Sequence, residues 1–296
     1  MAPMAELTGF TGDHDGERLS GVRGGPTGRA TAVLLHGAGK GSKERLLPLA
    51  AEFAAAGCHA LAFDFSGHGE SSGALAELSL RRRYEQAVAV IDAHAPAADP
   101  LVLVGFSMSG QTVADLVRHY GRRVAALGLC APAVYASDAW ELPFGDGRGR
   151  FTGILRTPDS WRDSPALAVY GSYEGRAVLT VPGTDTVIPA AVTRALHDAL
   201  STRADCLRLE LPDADHMLGL WFRDHAEDAR RLVSALLAGG GAPRGGGGRA
   251  PPGGGGGGPG PPPPGGGGWG GGGGGGRAPR GGGGPPPPRR VSGCSA

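Results

Sequence analysis

Short apolar runs with strand character alternate with amphipathic helical stretches along most of this chain. A strand buried on both faces of a sheet reads as a continuous apolar run, and parallel strands must be joined by long crossover connections. Six such runs occur, at residues 32–35, 59–65, 101–104, 124–129, 177–181 and 207–211. Helical periods fall between and after them, at residues 44–56, 80–95, 110–120, 191–201 and 222–237. The alternation predicts an α/β fold with a mostly parallel central sheet and helices on both faces, preceded by a hairpin at residues 7–23.

Two segments depart from this alternation. Residues 136–175 are rich in Gly, Pro, Asp and aromatic side chains, which predicts a small insertion. Residues 239–296 hold 30 of the 56 Gly and 13 of the 25 Pro, and such a segment cannot bury enough apolar surface to offset its chain entropy. We therefore expect one folded domain over residues 1–238 and a disordered Gly/Pro/Arg-rich tail. A GC-rich coding sequence translated in the wrong reading frame would give the same Gly, Pro and Arg repeats. The composition is equally consistent with a genuine flexible tail and with such a frame error.

Charge and cysteine content narrow the class of protein. The tail holds six Arg and no acidic residue, so removing it from the formal net charge of +1 leaves about −5 on residues 1–238. We interpret the short basic runs at residues 81–83 and 122–123 as solvated helix positions, and no nucleic-acid partner is expected. Four widely spaced cysteines indicate neither a disulfide framework nor a metal site, and no cofactor is expected. Without a leader pattern or an apolar run of about 18 residues, a cytoplasmic location is expected.

Ser107 lies between a predicted buried strand and a predicted helix, within the sequence Gly105-Phe106-Ser107-Met108-Ser109. A nucleophile on a sharp strand-to-helix turn needs small residues two positions before and after it, because strand and helix nearly touch there. Gly105 and Ser109 meet that need, although glycine is usual at the second position. We assign Ser109 only a steric place in this turn. The alternative interpretation is that Ser107 merely caps the helix.

The partners that a nucleophilic serine needs follow later in the chain. A hydroxyl is a poor nucleophile until a base takes its proton, and the imidazole base must be oriented by a carboxylate. Asp185 follows the strand at residues 177–181 and His216 follows the strand at 207–211, so both are expected at the same sheet edge as Ser107. Asp213 and Asp215 are rival acids, but neighbours in the same short loop are poorly placed to reach the distal nitrogen of His216. The alternative for Asp185 is a turn residue.

Acyl transfer also places negative charge on oxygen in its transition state, which calls for two backbone N–H donors. The N–H of Met108, at the start of a helix, is the first candidate. The second is expected from the loop after the first parallel strand, and we favour Ala38 over Gly39. His36 in that loop precedes the serine in the chain, so we interpret it as structural.

Five motifs in this order resemble the serine α/β-hydrolases, from about residue 32 to residue 237. They are Leu34-Leu35-His36-Gly37, the loop at residues 63–71, the turn at Ser107, the Asp185 loop and the pair Asp215-His216. Within that superfamily the chain resembles the lysophospholipase-like, monoglyceride-lipase-like and feruloyl-esterase-like branch. The resemblance implies an α/β-hydrolase fold and hydrolysis of an ester, thioester or amide through an acyl-enzyme without a cofactor. It also implies that the loop at residues 63–71 braces the site, so His68 is not expected to be catalytic.

The predicted insertion offers hints about the substrate. Such hydrolases place a cap there, and Trp140, Phe144 and Trp161 are predicted to line an apolar pocket, the alternative being that these rings form the cap's own core. The leading hypothesis is a carboxylesterase or thioesterase for a small, partly apolar substrate. One alternative is a non-hydrolytic use of the same triad, in acyl transfer or elimination within a biosynthetic pathway. Another is a non-catalytic ligand receptor. The sequence indicates no oligomeric state.

Overall fold

The computed structural model describes residues 6–238, and the tail predicted to be disordered lies outside the described residues. Eight strands form one sheet in the order β1-β2-β4-β3-β5-β6-β7-β8. They are β1 (Leu7–His14), β2 (Glu17–Gly24), β3 (Thr31–Leu35), β4 (His59–Phe63), β5 (Leu101–Phe106), β6 (Val124–Cys130), β7 (Arg176–Pro182) and β8 (Asp205–Leu211). Strands β1 and β2 form the expected hairpin, β2 pairs antiparallel with β4, and all other neighbours are parallel. The carboxyl ends of the parallel strands therefore share one edge.

Helices cover both faces of the sheet, as predicted. They are α1 (Leu47–Ala55), α2 (Leu80–His94), α3 (Ser109–Tyr120), α4 (Arg150–Arg156), α5 (Pro165–Ser172), α6 (Ala190–Leu200), α7 (Leu218–Asp224) and α8 (Ala226–Leu237). One apolar cluster joins the sheet to α2, α3, α5 and α6, and another joins it to α1, α7 and α8. In β5, Leu101 and Leu103 face the first layer while Val102 and Val104 face the second. This double burial explains why the central strands are apolar at every position.

The closing helix predicted over residues 222–237 is in fact two helices, α7 and α8. His225 separates them with φ −128° and ψ 73°, outside helical geometry. Its ring stacks on Trp221 at 3.6 Å between centroids, and the Trp221 indole N–H donates to Asp228 at 2.9 Å. The break lets α7 follow the loop after β8 while α8 packs along the sheet. Across residues 6–238, every helix is too short or too polar to cross a bilayer.

The segment predicted as an insertion contains two structurally different parts. Its second half forms α5, which packs against the same sheet face as α3 and α6. Tyr170 of α5 is fully buried and its hydroxyl donates to the backbone carbonyl of Gly110. Helix α5 therefore belongs to the helix layer, and the remainder, up to about residue 163, lies beside the start of α3.

A buried polar network fastens this insertion to α3. The indole N–H of Trp140 donates to Asp115 Oδ2 at 3.2 Å. Gln111 Oε1 accepts from the Tyr135 backbone N–H at 3.2 Å and from the Ser164 hydroxyl at 3.1 Å. Because α3 begins just after Ser107, the insertion is attached to the helix that carries the candidate nucleophile.

Asp115 in this network makes stability depend on pH. Burial raises its pKa to about 6, although hydrogen bonds from Trp140 and Gln111 lower it. Between about pH 4 and pH 6 the unfolded chain loses this proton while the folded chain keeps it, so stability falls as pH rises through that window. We expect Asp115→Asn to stabilise the protein at neutral pH by up to about 3 kcal/mol, and to change little near pH 3, where both side chains are neutral. Thermal unfolding at the two pH values measures this, and a less stable variant at neutral pH would contradict it.

Candidate active site

Ser107 occupies the tight turn between β5 and α3. Its φ of +50° lies in the left-handed region, which non-glycine residues rarely adopt, and its N–H donates to the Cys130 carbonyl at 3.0 Å. A Cβ at Gly105 would lie 2.6 Å from Val113 Cγ2 and 2.8 Å from the Ser109 carbonyl oxygen. Glycine is therefore required where the strand and the helix approach each other. A strained turn that exposes a hydroxyl above a parallel sheet is the geometry of a nucleophile elbow.

Ser109 has a polar role that the sequence did not indicate. Its hydroxyl donates to the His36 carbonyl at 2.6 Å and accepts from Arg83 Nη2 at 2.8 Å. Arg83 also donates to the His36 carbonyl at 2.6 Å, and its guanidinium lies 3.8 Å from the centre of the Phe65 ring. Arg83 is fully buried, so the interpretation of residues 81–83 as a solvated run is wrong at this position. One residue in such a helical run faces the core, and burial lowers the Arg83 pKa to about 9.

The structure brings Ser107, His216 and Asp185 together. Ser107 Oγ lies 3.0 Å from His216 Nε2, and His216 Nδ1 lies 3.0 Å from Asp185 Oδ2. The other carboxylate oxygen, Oδ1, accepts from the backbone N–H groups of Val187 at 2.7 Å and Ile188 at 3.0 Å. The side chains of His216 and Asp185 are 14% and 10% exposed, so solvent is largely but not fully excluded from the pair. The arrangement can pass a proton from the hydroxyl to an oriented imidazole.

Two loops set this geometry through direct hydrogen bonds. They are the loop after β7 that contains Asp185, the acid loop, and the loop after β8 that contains His216, the base loop. The Gly183 N–H donates to the Leu211 carbonyl at 2.8 Å, and Thr184 donates to the Ala214 carbonyl from its N–H at 3.0 Å and its hydroxyl at 2.9 Å. A Cβ at Gly183 would lie 2.2 Å from a backbone oxygen of the facing loop. Close packing of these two loops therefore fixes the distance between Asp185 and His216.

Neither of the rival acids, Asp213 and Asp215, contacts the His216 imidazole. Asp215 Oδ1 accepts from the Met217 N–H at 2.8 Å, which stabilises the turn after the base. Asp213 and Asp215 are both exposed. The partner of His216 in the structure is Asp185, 31 residues earlier in the chain.

The residues predicted to supply the two oxyanion donors, Met108 and Ala38, lie in segments next to Ser107. Met108 follows Ser107 at the start of α3, and the loop with Ala38 runs past Ser107 so closely that a Cβ at Gly37 would lie 3.1 Å from Ser107 Cβ. Among residues 6–238, neither the Met108 N–H nor the Ala38 N–H donates to another residue. Ala38 also borders a cavity beside Ser107.

His36 positions this loop. Its Nδ1 lies 2.6 Å from the Gly37 carbonyl, and its Nε2 accepts from the Phe65 N–H at 3.1 Å, so the ring is neutral with its proton on Nδ1. Burial and the nearby Arg83 guanidinium hold the pKa of His36 well below its ordinary value. The ring connects two loops and has no contact with the proton relay.

The loop at residues 63–71 also has structural contacts. His68 is buried and its Nδ1 lies 3.0 Å from the Ser66 carbonyl. Lys43 Nζ contacts Asp64 at 2.8 Å and Glu70 at 2.7 Å, in an ion-pair network that joins this loop to the segment after Ala38.

A cavity of about 90 Å³ opens beside Ser107 and His216. Its walls include the loop that contains Ala38, Arg45 and Leu46 of the turn that follows it, and Leu220 of α7. Sequence reasoning did not single out the segments around Arg45 and Leu220, because the first reads as the start of a helix and the second falls just before the closing helix predicted over residues 222–237.

The three aromatic residues predicted to line the pocket lie elsewhere. None of Trp140, Phe144 and Trp161 borders the cavity beside Ser107. Trp140 and Phe144 pack with Phe151 around the side chain of Met108, and Trp161 packs against the helix layer of the main core. An aromatic-rich insertion can direct its rings toward a ligand or toward itself. Here Trp140 and Phe144 belong to the insertion's own small core, and Trp161 packs on the main core.

One group of side chains has the spacing of metal ligands. Ligand atoms of His14, Asp15 and Glu85 lie within 4.8 Å of one another at the β1–β2 turn. Glu85 is already paired with Arg81 at 2.7 Å. An exposed group of this kind is common without an ion, and it includes no member of the Ser107 site.

Comparisons with known proteins agree with this architecture. The family described as serine aminopeptidase S33 matches residues 26–153. A predicted CIB-like hydrolase from Thermoplasma acidophilum is 18% identical with a TM-score of 0.58, over 78% of this chain and 98% of that one. Est1E from Butyrivibrio proteoclasticus, solved with ferulic acid bound, is 17% identical with a TM-score of 0.60, over 77% and 99%. A thioesterase domain from the curacin biosynthetic pathway is 15% identical with a TM-score of 0.60, over 78% and 99%. No curated protein matches the chain in sequence.

Proposed function

We propose that the chain is a serine hydrolase of the α/β-hydrolase superfamily that cleaves a carboxylic ester or thioester of a small, partly apolar substrate. The family match over residues 26–153 and the solved structures of the same fold support this proposal. The observation that carries this proposal is the pair of 3.0 Å contacts that link Ser107 to His216 and His216 to Asp185. The proposal includes a cytoplasmic location and needs no cofactor. Esterase and thioesterase neighbours of the same fold support it at the level of the reaction class.

In the first half of the proposed reaction, Ser107 Oγ attacks the substrate carbonyl while His216 Nε2 takes the hydroxyl proton. Asp185 holds the imidazole with its other N–H toward the carboxylate and stabilises the imidazolium. The carbonyl oxygen becomes an oxyanion between the N–H groups of Met108 and Ala38. His216 then gives its proton to the leaving alcohol or thiol, and an ester of Ser107 remains.

The second half repeats these roles with water. His216 removes a proton from the water that attacks the acyl-enzyme carbonyl, the same two amides hold the oxyanion, and the proton returns to Ser107. A product acid leaves and the resting site is restored.

Pre-steady-state hydrolysis of p-nitrophenyl butyrate tests this proposal. We expect a burst of nitrophenol close to one equivalent per active site, because an acyl-enzyme forms before it is hydrolysed. A covalent mass increase with a fluorophosphonate probe is the second expected result. A protein that gives neither a burst, nor turnover, nor a covalent adduct is not a serine hydrolase.

A further inference from the structure

Among the described residues that border the cavity beside Ser107, Arg45 is the one with a formally charged side chain. It lies in the short helical turn Lys43–Leu46, which follows the loop that contains Ala38, and it is half-buried. Within the described residues 6–238 no carboxylate pairs with its guanidinium, whereas the neighbouring Lys43 contacts Asp64 and Glu70. The candidate active site therefore contains one cation whose charge the fold does not neutralise.

The environment of Arg45 favours an anionic ligand over solvent alone. The other residues that border the cavity are the two histidines His36 and His216, small or hydroxyl residues, and apolar residues such as Leu46, Phe106 and Leu220. A planar guanidinium donates two parallel hydrogen bonds to a carboxylate, and such bonds strengthen where neighbouring groups are apolar. Arg45 also packs closely against α7, and a Cβ at Gly219 of that helix would lie only 3.3 Å from Arg45 Cβ.

The cavity size limits what can lie between Ser107 and Arg45. Its volume of about 90 Å³ is smaller than the roughly 150 Å³ of a cavity that holds benzene. A chain of a few carbon atoms fills this space, so a short acyl group is what the cavity encloses fully. The cavity is therefore suited to a short acyl group with a polar end.

We propose that the substrate carries a short acyl chain that ends in a carboxylate, and that Arg45 binds this carboxylate while Ser107 attacks the acyl carbonyl. This inference rests on the proposed hydrolase function and names its substrate class as half esters or half thioesters of short dicarboxylic acids. Arg45 determines specificity and takes no part in proton transfer. The site turns over a neutral acyl group of equal size more slowly, because the guanidinium then has no charged partner.

Three matched p-nitrophenyl esters test the substrate class. The half ester of fumaric acid places a carboxylate at the end of a short acyl chain, and its trans geometry prevents self-cyclisation. The fumaramate ester is its neutral isostere, and the crotonate ester has an apolar end. For the wild type we expect kcat/KM to be at least about tenfold higher for the fumarate ester than for the fumaramate, as for a hydrogen bond between charged groups. Arg45→Gln should bring this ratio to about one, because hydrolysis of the fumarate ester falls at least about tenfold relative to that of the crotonate ester.

Arg194→Gln is the matched control, since it removes the same charge from an exposed position on α6, and it should leave the wild-type ratio unchanged. A wild-type ratio near one, or a ratio that Arg45→Gln does not alter, overturns the role of Arg45 and leaves the hydrolase function intact. Failure of all three esters together with failure of fluorophosphonate labelling overturns the hydrolase function, and the substrate class with it.

Discussion

Replacing Ser107 with Ala abolishes fluorophosphonate labelling and lowers the hydrolysis of p-nitrophenyl butyrate by at least about a thousandfold. Loss of one triad member removes covalent catalysis and leaves only the contribution of the oxyanion donors and substrate binding. The change should scarcely affect the fold, because it removes one side-chain oxygen atom and keeps the backbone N–H of residue 107 that donates to the Cys130 carbonyl. Intact-protein mass and initial rates measure both effects.

Ser42→Ala is the appropriate control for this experiment. Ser42 borders the same cavity as Ser107. The imidazole of His216 contacts the hydroxyl of Ser107, and not that of Ser42. The variant should keep its label. Ser109→Ala is a poorer control than its steric role in the sequence suggested, because its hydroxyl bonds His36 and the buried Arg83. Equal labelling of Ser107→Ala and wild type would show that another residue is the nucleophile.

The architecture could largely be predicted, because apolar strand runs and amphipathic helical stretches alternate regularly along the sequence. A strand buried on two faces, such as β5, must be apolar throughout, and this leaves a local signature in the sequence. The α/β-hydrolase fold predicted from this pattern and from the motifs is confirmed. The sequence did not predict the division between α7 and α8, because a single residue, His225, leaves helical geometry there. Its ring stacks on Trp221, and the sequence pattern does not reveal this contact.

Tertiary contacts decided the features of the site that the sequence did not reveal. Arg83 reads as part of a basic surface run, since nothing local tells which of three consecutive arginines faces the sheet. Arg45 lies 62 residues before Ser107 and borders its cavity only after folding. The positions of the triad residues were easier to predict, because each follows a parallel strand and the carboxyl ends of those strands must meet at one edge.

Asp185→Asn should lower kcat by roughly 10³–10⁴-fold with little change in KM. Oδ1 of Asp185 accepts two backbone N–H bonds, from Val187 and Ile188, and only an oxygen can keep them. An asparagine at this position must therefore direct its NH₂ group toward His216 Nδ1. The imidazole then carries its proton on Nε2, where it cannot accept the proton of Ser107, so catalysis is lost although the geometry remains.

Asp213→Asn and Asp215→Asn are the matched controls, since each makes the same chemical change within three residues of His216. Both side chains are exposed and neither contacts the imidazole, so kcat should stay within about threefold of the wild type in each. Steady-state kinetics together with thermal unfolding separate a change of tautomer from a loss of folding. If Asp215→Asn were the inactive variant and Asp185→Asn the active one, the acid would be the neighbour of His216 in the chain, and the contact between the acid loop and the base loop would serve stability alone.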